Sequence, residues 1–187
     1  MRHVLPRRHL SAVSFSALLL SIEPMMASAQ VPAPAPAKPP PACADAPHRA
    51  FDFWVGRWSV TETKTGKPAG QSVIEKLYDG CTIRENWSEP GYSGGSLNTY
   101  DATVGKWRQT WTDSAGAWRE FMGGPENGKM VLVWRHPSLK DPAKMARERM
   151  IFTPNADGSV RQYSDASRDD GVTWVERYDY TYRKAAP

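Results

Sequence analysis

Apolar and polar residues alternate with a period of two along most of the chain from Phe51 onward, which is typical of β-strands that bury one face. Eight dipeptides ending in glycine, such as Asp79-Gly80 and Asn127-Gly128, stand between these segments and favour turns. Ten strands are therefore predicted. They cover residues 56–64 (approximately), 71–79, 81–89, 96–102, 106–113, 117–122, 128–136, 147–154, 159–167 and 172–183.

The connections between these segments are short, so consecutive strands are expected to pair as antiparallel hairpins. The fold class predicted is all-β, with about ten strands in an antiparallel up-and-down barrel. A closed barrel leaves no exposed sheet edge, whereas a sandwich would need longer crossovers. No amphipathic helix is indicated between residues 51 and 187, and the loop 137–146 is the one place for a helical turn.

The alternation also predicts which side chains face the interior of the barrel. On each strand the more apolar of the two alternating sets is expected to point inward. The inward sets are Trp107, Gln109, Trp111 and Asp113; Ile83, Glu85 and Trp87; Val160, Gln162, Ser164 and Ala166; and Val172, Trp174, Glu176, Tyr178, Tyr180 and Tyr182. These faces combine aromatic rings with a carboxylate and two amides.

Buried polar groups need hydrogen-bond partners, and two arrangements would supply them. The polar side chains either bond to one another, to arginine or tyrosine partners and to trapped water, or they line an aromatic cavity and orient a ligand. The second arrangement predicts a small apolar or amphipathic molecule as the binding partner. The walls of the cavity would be Trp87, Trp107, Trp111 and Trp174. The ligand would be oriented by Glu85, Gln109 and Gln162.

Two other functions are compatible with the same residues. Glu85 and Glu176, if both face inward, would form the carboxylate pair of an enzyme whose environment keeps one acid protonated. A barrel filled with side chains would instead act as a protein-interaction module. No catalytic residue is assigned, because the chain has no GxSxG motif and no serine with a readable histidine partner. We expect a binding protein rather than an enzyme.

The first part of the chain is typical of an exported protein. Residues 1–29 predict a signal peptide, with three arginines, an apolar run and the small-residue site Ala27-Ser28-Ala29. Residues 30–43 are rich in proline and alanine and predict an extended spacer, and residues 44–187 form the barrel domain. The protein is expected to be periplasmic or extracellular, with no transmembrane segment after cleavage. The sequence does not indicate an oligomeric state.

Charge and cysteine content narrow the function further. Without the signal peptide the chain keeps 21 basic and 19 acidic residues, a net charge of +2, and it has no dense basic stripe. Nucleic acid is therefore not an expected partner. The two cysteines, Cys43 and Cys81, are predicted to form a disulfide in an oxidising compartment. Redox chemistry is the weaker interpretation, because no CxxC motif is present.

The segment FDFWVGRW at residues 51–58 resembles the opening of a family of uncharacterised, exported bacterial proteins with a lipocalin-like barrel. The likeness continues through residues 79–81, 94–101, 107–113, 157–162 and 167–174. It implies a calycin-type barrel and a disulfide, but no known reaction or ligand. In calycins generally a Gly-x-Trp motif packs at the closed end of the barrel under a basic residue. Gly56 and Trp58 match that motif, and the resemblance implies Arg183 or Arg177 as the covering cation.

No metal or other cofactor is predicted. The mature chain has two histidines, His48 and His136, and neither belongs to a metal-binding spacing. Small heme-binding barrels have a similar fold and hold iron through a histidine near the C-terminus, but residues 159–183 contain none. His136 is the only substitute, so heme binding is disfavoured. Asp165, Asp169 and Asp170 lack the spacing of a calcium loop.

Overall fold

A computed structural model describes residues 42–138 and 140–185 of the chain. Ten antiparallel strands form a closed barrel in which each strand pairs with its neighbours in sequence and β1 pairs with β10. The strands are β1 (Gly56–Glu62), β2 (Pro68–Leu77), β3 (Thr82–Glu89), β4 (Tyr92–Asp101), β5 (Lys106–Asp113), β6 (Trp118–Glu126), β7 (Lys129–Pro137), β8 (Met145–Pro154), β9 (Val160–Ser167) and β10 (Val175–Lys184). The predicted all-β barrel of ten strands is confirmed. The expected signal peptide, and the expected spacer up to Pro41, lie outside the described residues.

The described residues hold little helix, and it does not lie where the sequence indicated. Helix α1 (Ala46–Arg49) begins at Asp45, whose side chain accepts a hydrogen bond from the backbone N–H of His48 at 3.2 Å. Two 3-10 turns cover Asp52–Trp54 and Tyr78–Gly80. Strands β7 and β8 extend into the loop 137–146, so its described residues form only a turn. No helix among the described residues is both long enough and apolar enough to cross a membrane.

The segment before β1 closes one end of the barrel. Phe51 and Trp54 are fully buried and stack with their ring centroids 4.9 Å apart. Phe152 of β8 packs against both rings, and Trp107 of β5 packs against Phe51. These aromatic residues form the floor of the barrel. The remaining inner side chains therefore enclose a space only toward the other end.

The predicted disulfide between Cys43 and Cys81 is confirmed, with the two Cα atoms 5.0 Å apart. Cys81 directly follows the turn between β2 and β3, at the closed end of the barrel. The bond therefore fastens the N-terminal segment to the strands that it covers.

The Gly-x-Trp motif lies at this closed end, but the cation above it is not the expected one. The Lys184 ammonium is 3.8 Å from the ring centroid of Trp58 and donates to the carbonyl oxygen of Val55 at 2.7 Å. Lys184 is the direct cross-strand partner of Trp58, whereas Arg183 pairs with Ser59 and is exposed. The expectation of Arg183 was therefore wrong by one position, which in a strand is a change of face.

Arg177, the other expected cation, lies far along β10 from Trp58 and lines the cavity described below. Gly56 adopts a φ of +149°, and a Cβ there would lie 2.2 Å from the Lys184 ammonium nitrogen. Glycine at this position therefore leaves room for the lysine.

A register shift between Glu176 and Tyr178 changes the face of the first residues of β10. Tyr178, Tyr180 and Tyr182 point inward as predicted, but Glu176 is exposed and forms an ion pair with Lys64 at 2.6 Å. The sequence prediction assumed strict alternation along the whole strand. A bulge adds one residue to the strand, so the residues before it face the opposite way. The inward position expected for Glu176 was therefore wrong.

Trp174 precedes β10 and lies outside the barrel. Its ring is beneath the guanidinium group of Arg149, 4.2 Å from the centroid, and its indole N–H donates to the carbonyl oxygen of Gly171. Arg149 alternates with the inward-facing Met150 on β8 and pairs with Asp165 at 2.6 Å. The expected inward position of Trp174 was wrong, because the strand begins only at Val175.

Candidate functional site

A cavity of about 280 Å³ occupies the half of the barrel opposite the closed end. Five of the seven residues predicted to contact a ligand line it, namely Glu85, Trp87, Gln109, Trp111 and Gln162. Trp107 lies deeper and does not line the cavity, because its ring packs on Phe51 and its indole N–H donates to the carbonyl oxygen of Pro47 at 3.1 Å. Trp174 lies on the outer surface, as described above.

Glu85 is a buried carboxylate whose hydrogen-bond donors in the described part of the chain are both neutral. Its two oxygens accept from the hydroxyl of Ser72 at 3.2 Å and from the hydroxyl of Ser96 at 2.9 Å. Among the described residues Glu85 forms no salt bridge, and its side chain is 4% exposed. Burial raises the pKa of this carboxyl group to about 7, although the two serine hydrogen bonds partly oppose the effect.

A chain of amide hydrogen bonds leads from this carboxylate across the inner wall. The Asn98 amide donates to the hydroxyl of Ser96 at 3.0 Å and to the carbonyl oxygen of Ile83 at 3.1 Å. The Gln109 amide donates to the Asn98 carbonyl oxygen at 2.7 Å. Three adjacent strands, β3, β4 and β5, supply these groups, so the hydrogen bonds hold the polar wall in one arrangement.

The tyrosines of β10 form the facing wall. Tyr180 stacks between Tyr178 and Trp87, with centroid distances of 4.9 Å and 5.9 Å. The Gln162 amide donates to the Tyr178 oxygen at 3.3 Å, and the Tyr182 hydroxyl donates to the Gln162 carbonyl oxygen. Burial raises the pKa of both Tyr178 and Tyr182, and the nearby Glu85 carboxylate raises them further. Both tyrosines are therefore neutral at physiological pH.

Ion pairs surround the outer part of the cavity. Arg119 of β6 lies 3.6 Å from Asp113 and 3.6 Å from Glu148, and Arg177 lies 3.2 Å from Glu148. Both guanidinium groups are thus already paired with carboxylates. The hydrogen bond donated by Trp111, together with other donors, holds the pKa of Asp113 well below its usual range. The aromatic wall and the ion pairs are therefore linked through Asp113.

Two glycines on inward-facing positions make room for the cavity tryptophans. A Cβ at Gly70 of β2 would lie 2.6 Å from the Trp87 ring, and a Cβ at Gly94 of β4 would lie 2.5 Å from the Trp111 ring. Each ring therefore lies across a neighbouring strand where that strand has no side chain. The rings of Trp87 and Trp111, rather than the glycines beneath them, line the space that remains.

Sequence reasoning missed much of the outer cavity. Arg119, Glu148 and Arg177 were not assigned an inward face, although Arg119 is the cross-strand partner of the inward-facing Trp111. The signal was present in AWREFM, where Phe121 and Arg119 share one face. The tyrosines of β10 were placed inward but were not taken as ligand contacts.

Histidine and acidic residues form no metal-binding cluster in the part of the chain that the structure describes. His136, the one alternative heme ligand, stacks on Trp134 with a centroid distance of 3.8 Å. Its Nδ1 lies 2.9 Å from the carbonyl oxygen of Pro137. These contacts give the histidine a packing role next to the barrel mouth.

No protein-family model matches the chain, and no curated protein matches it either.

Proposed function

We propose that this protein is an exported barrel that binds one small apolar or amphipathic molecule in its interior. The observation that carries the proposal is the 280 Å³ cavity, which combines aromatic walls with the buried, hydrogen-bonded Glu85. Its volume is just below the range of typical small-molecule sites, roughly 300 to 1,000 Å³, and therefore suits a small ligand. A barrel that served only as an interaction surface would have no need for an unfilled interior with a carboxylate in it.

The position of Glu176 argues against an enzyme that uses Glu85 and Glu176 as its carboxylate pair. Glu176, its second acid, pairs with Lys64 on the outside of the barrel. The disulfide supports export, because such bonds persist mainly in oxidising compartments. The resemblance to exported lipocalin-like proteins supports export and the barrel fold, and membership of that family is part of the proposal.

The test is native mass spectrometry of protein purified from its own host, followed by tryptophan fluorescence titration with a panel of lipids and aromatic compounds. We expect a retained small molecule, or a saturable fluorescence change with at least one compound. Substitution Trp111→Ala removes a cavity wall and should weaken that binding about tenfold, which corresponds to about 1.4 kcal/mol.

The matched control is Trp118→Ala, because Trp118 is on the neighbouring strand and its side chain is 57% exposed. This variant should bind as the unmodified protein does. The proposal fails if neither an adduct nor a fluorescence change is found, or if both variants weaken binding equally.

A further inference from the structure

The cavity contains a negative group that has no positive partner within residues 42–138 and 140–185. A carboxylate has about four acceptor sites, and each oxygen of Glu85 accepts a hydrogen bond from one serine hydroxyl. Glu85 also lines the cavity, so acceptor capacity remains on the ligand side. An isolated buried charge is strongly unfavourable unless a countercharge or hydrogen bonds compensate it. A ligand that brings a cation would supply that compensation.

The arginines of the cavity do not supply it. Arg119 is bound to Asp113 and Glu148, and Arg177 is bound to Glu148, all on the outer side of the cavity. Among the described residues, the lining has three carboxyl groups, Glu85, Glu89 and Glu148, and two guanidinium groups, Arg119 and Arg177. Asp113 adds a further negative charge directly beside Arg119. An anionic ligand would therefore meet an excess of like charge, whereas a cation would meet an excess of opposite charge.

The aromatic wall also favours a cation. Trp87 stacks on Tyr180 and lies 6.4 Å from Tyr182, so three rings of the wall are continuous. Aromatic faces attract ammonium groups, and the attraction is stronger where water is excluded. Tyr178 and Tyr182 lie close enough to Glu85 for its charge to raise their pKa values. One small region thus offers both a carboxylate and electron-rich rings.

We propose that the molecule bound in this barrel is a small amphipathic amine whose protonated nitrogen lies against Glu85. This inference rests on the proposed binding function and names its ligand class. The apolar part of the amine contacts Phe121, Met150 and Trp111, which line the rest of the cavity. The volume of about 280 Å³ suits a single ring with a short chain better than a long acyl chain.

Three test ligands of nearly equal size and different charge separate the possibilities. They are 2-phenylethylamine, 2-phenylethanol and phenylacetate, and their binding is measured by tryptophan fluorescence and by isothermal titration calorimetry at pH 8. We expect the amine to bind at least tenfold more tightly than the alcohol, and the carboxylate to bind most weakly. Equal or tighter binding of the alcohol or the carboxylate overturns the amine inference and leaves the binding function intact.

Variants then locate the ammonium group. Glu85→Gln keeps the size of the side chain and removes its charge, so it should weaken amine binding at least tenfold and change alcohol binding less than threefold. Glu75→Gln, which neutralises a carboxylate paired with Arg84 on the outer face of β2, should change amine binding less than threefold. If Glu85→Gln binds the amine as well as the unmodified protein does, the inference is wrong.

The pH dependence gives an independent readout. The groups around the carboxyl group of Glu85 are the hydroxyls of Ser72 and Ser96 and the neutral phenols of Tyr178 and Tyr182. The charged groups farther out in the cavity are Glu89, Glu148, Arg119 and Arg177. In the protein without ligand, the pKa of the Glu85 carboxyl group is about 7. Protonation of this group should therefore weaken amine binding about 100-fold between pH 8 and pH 5. Glu85→Gln should abolish that dependence, and a dependence that persists in the variant contradicts the proposal.

If none of the three test ligands binds, the adduct retained by protein from its own host decides the question. An adduct without a basic nitrogen overturns the amine inference, while an adduct with one supports it. If no adduct is found and no compound of the panel changes the tryptophan fluorescence, the binding function itself is overturned.

Discussion

Glu85 is the side chain with the most unusual environment in the cavity. It lies at an inward position of β3 between Ile83 and Trp87, where alternation alone would favour an apolar residue. Its hydrogen bonds to two serines reduce the cost of burial without removing it, since its pKa is raised to about 7 rather than lowered. A carboxylate kept at this cost is more readily explained by a ligand contact than by folding.

Glu85→Gln should stabilise the protein at neutral and alkaline pH. The pKa of the carboxyl group rises from 4.5 in the unfolded chain to about 7 in the folded protein, so the folded state binds the proton more tightly. The stability that this provides is present below pH 4.5 and is lost as the pH rises through 7. Above that pH the variant should gain up to about 3 kcal/mol in free energy of unfolding, at 1.36 kcal/mol per pKa unit.

The measurement is the melting temperature of both proteins without ligand between pH 4 and pH 9. The two curves should meet near pH 4.5 and separate by several degrees above pH 7. The control is Glu75→Gln on the outer face of β2, where the carboxylate pairs with Arg84 in solvent, and it should change stability by less than about 1 kcal/mol. A constant difference at all pH values would contradict the assignment.

Two strands behind the cavity wall, β2 and β4, have small residues at inward positions. Along β2 and β4 these are Gly70, Ser72, Gly94 and Ser96. Tryptophan rings from β3 and β5 fill the space above the two glycines, while the two serines reach Glu85. The cavity wall therefore forms where a large side chain on one strand packs over a small residue on the next.

Gly94→Ala should both destabilise the barrel and disturb the ligand site. Its Cβ would lie 2.5 Å from the Trp111 ring and 2.9 Å from the carbonyl oxygen of Thr112, so the ring must move. Overpacking of this kind costs about 1 to 3 kcal/mol. We expect a lower melting temperature and an altered fluorescence emission of Trp111.

The control for this substitution is Gly124→Ala on β6, where a new Cβ meets no atom within 4 Å. Its melting temperature should stay within a few degrees of the unmodified protein. If Gly94→Ala is as stable as Gly124→Ala, the Trp111 ring does not lie across β4.

The two ends of the barrel differ in their side chains and in what those side chains do. The closed end combines the Phe51 and Trp54 floor, the Lys184–Trp58 contact and the disulfide. The opposite end holds the cavity and its ion pairs. Residues of the closed end therefore stabilise the barrel without lining the cavity, so their effect on stability can be measured apart from ligand binding.

Loss of the disulfide should lower stability without changing the cavity. Its two cysteines are separated by 38 residues, and closing such a loop contributes about 3 to 4 kcal/mol in the chain-entropy description. Reductant should therefore lower the melting temperature by about 10 °C. The double variant Cys43→Ser, Cys81→Ser should melt at the temperature of the reduced protein and should not respond to reductant.

Ligand affinity provides the second half of this experiment. At a temperature where both forms are folded, the double variant should bind a cavity ligand within threefold of the unmodified protein. A large loss of affinity would show that the N-terminal segment helps to shape the cavity.

The number and order of the strands and the all-β barrel were predictable from residues near one another in the chain, and the disulfide was predictable because the chain has two cysteines and is expected to be exported. Alternation, turn dipeptides and a cysteine count express local preferences, and each strand repeats them. The inward faces of β3, β5 and β9 followed from the same rule, which is why Glu85, Trp87, Gln109, Trp111 and Gln162 were found.

Other features depend on atoms that meet only across the barrel. The bulge in β10 moved Glu176 outward, and the late start of that strand left Trp174 outside it. Strand register brought Lys184, rather than Arg183, over Trp58. The N-terminal segment sealed Trp107 away from the cavity. Whether space remains inside depends on the combined volume of side chains from ten strands, and no single strand contains that information.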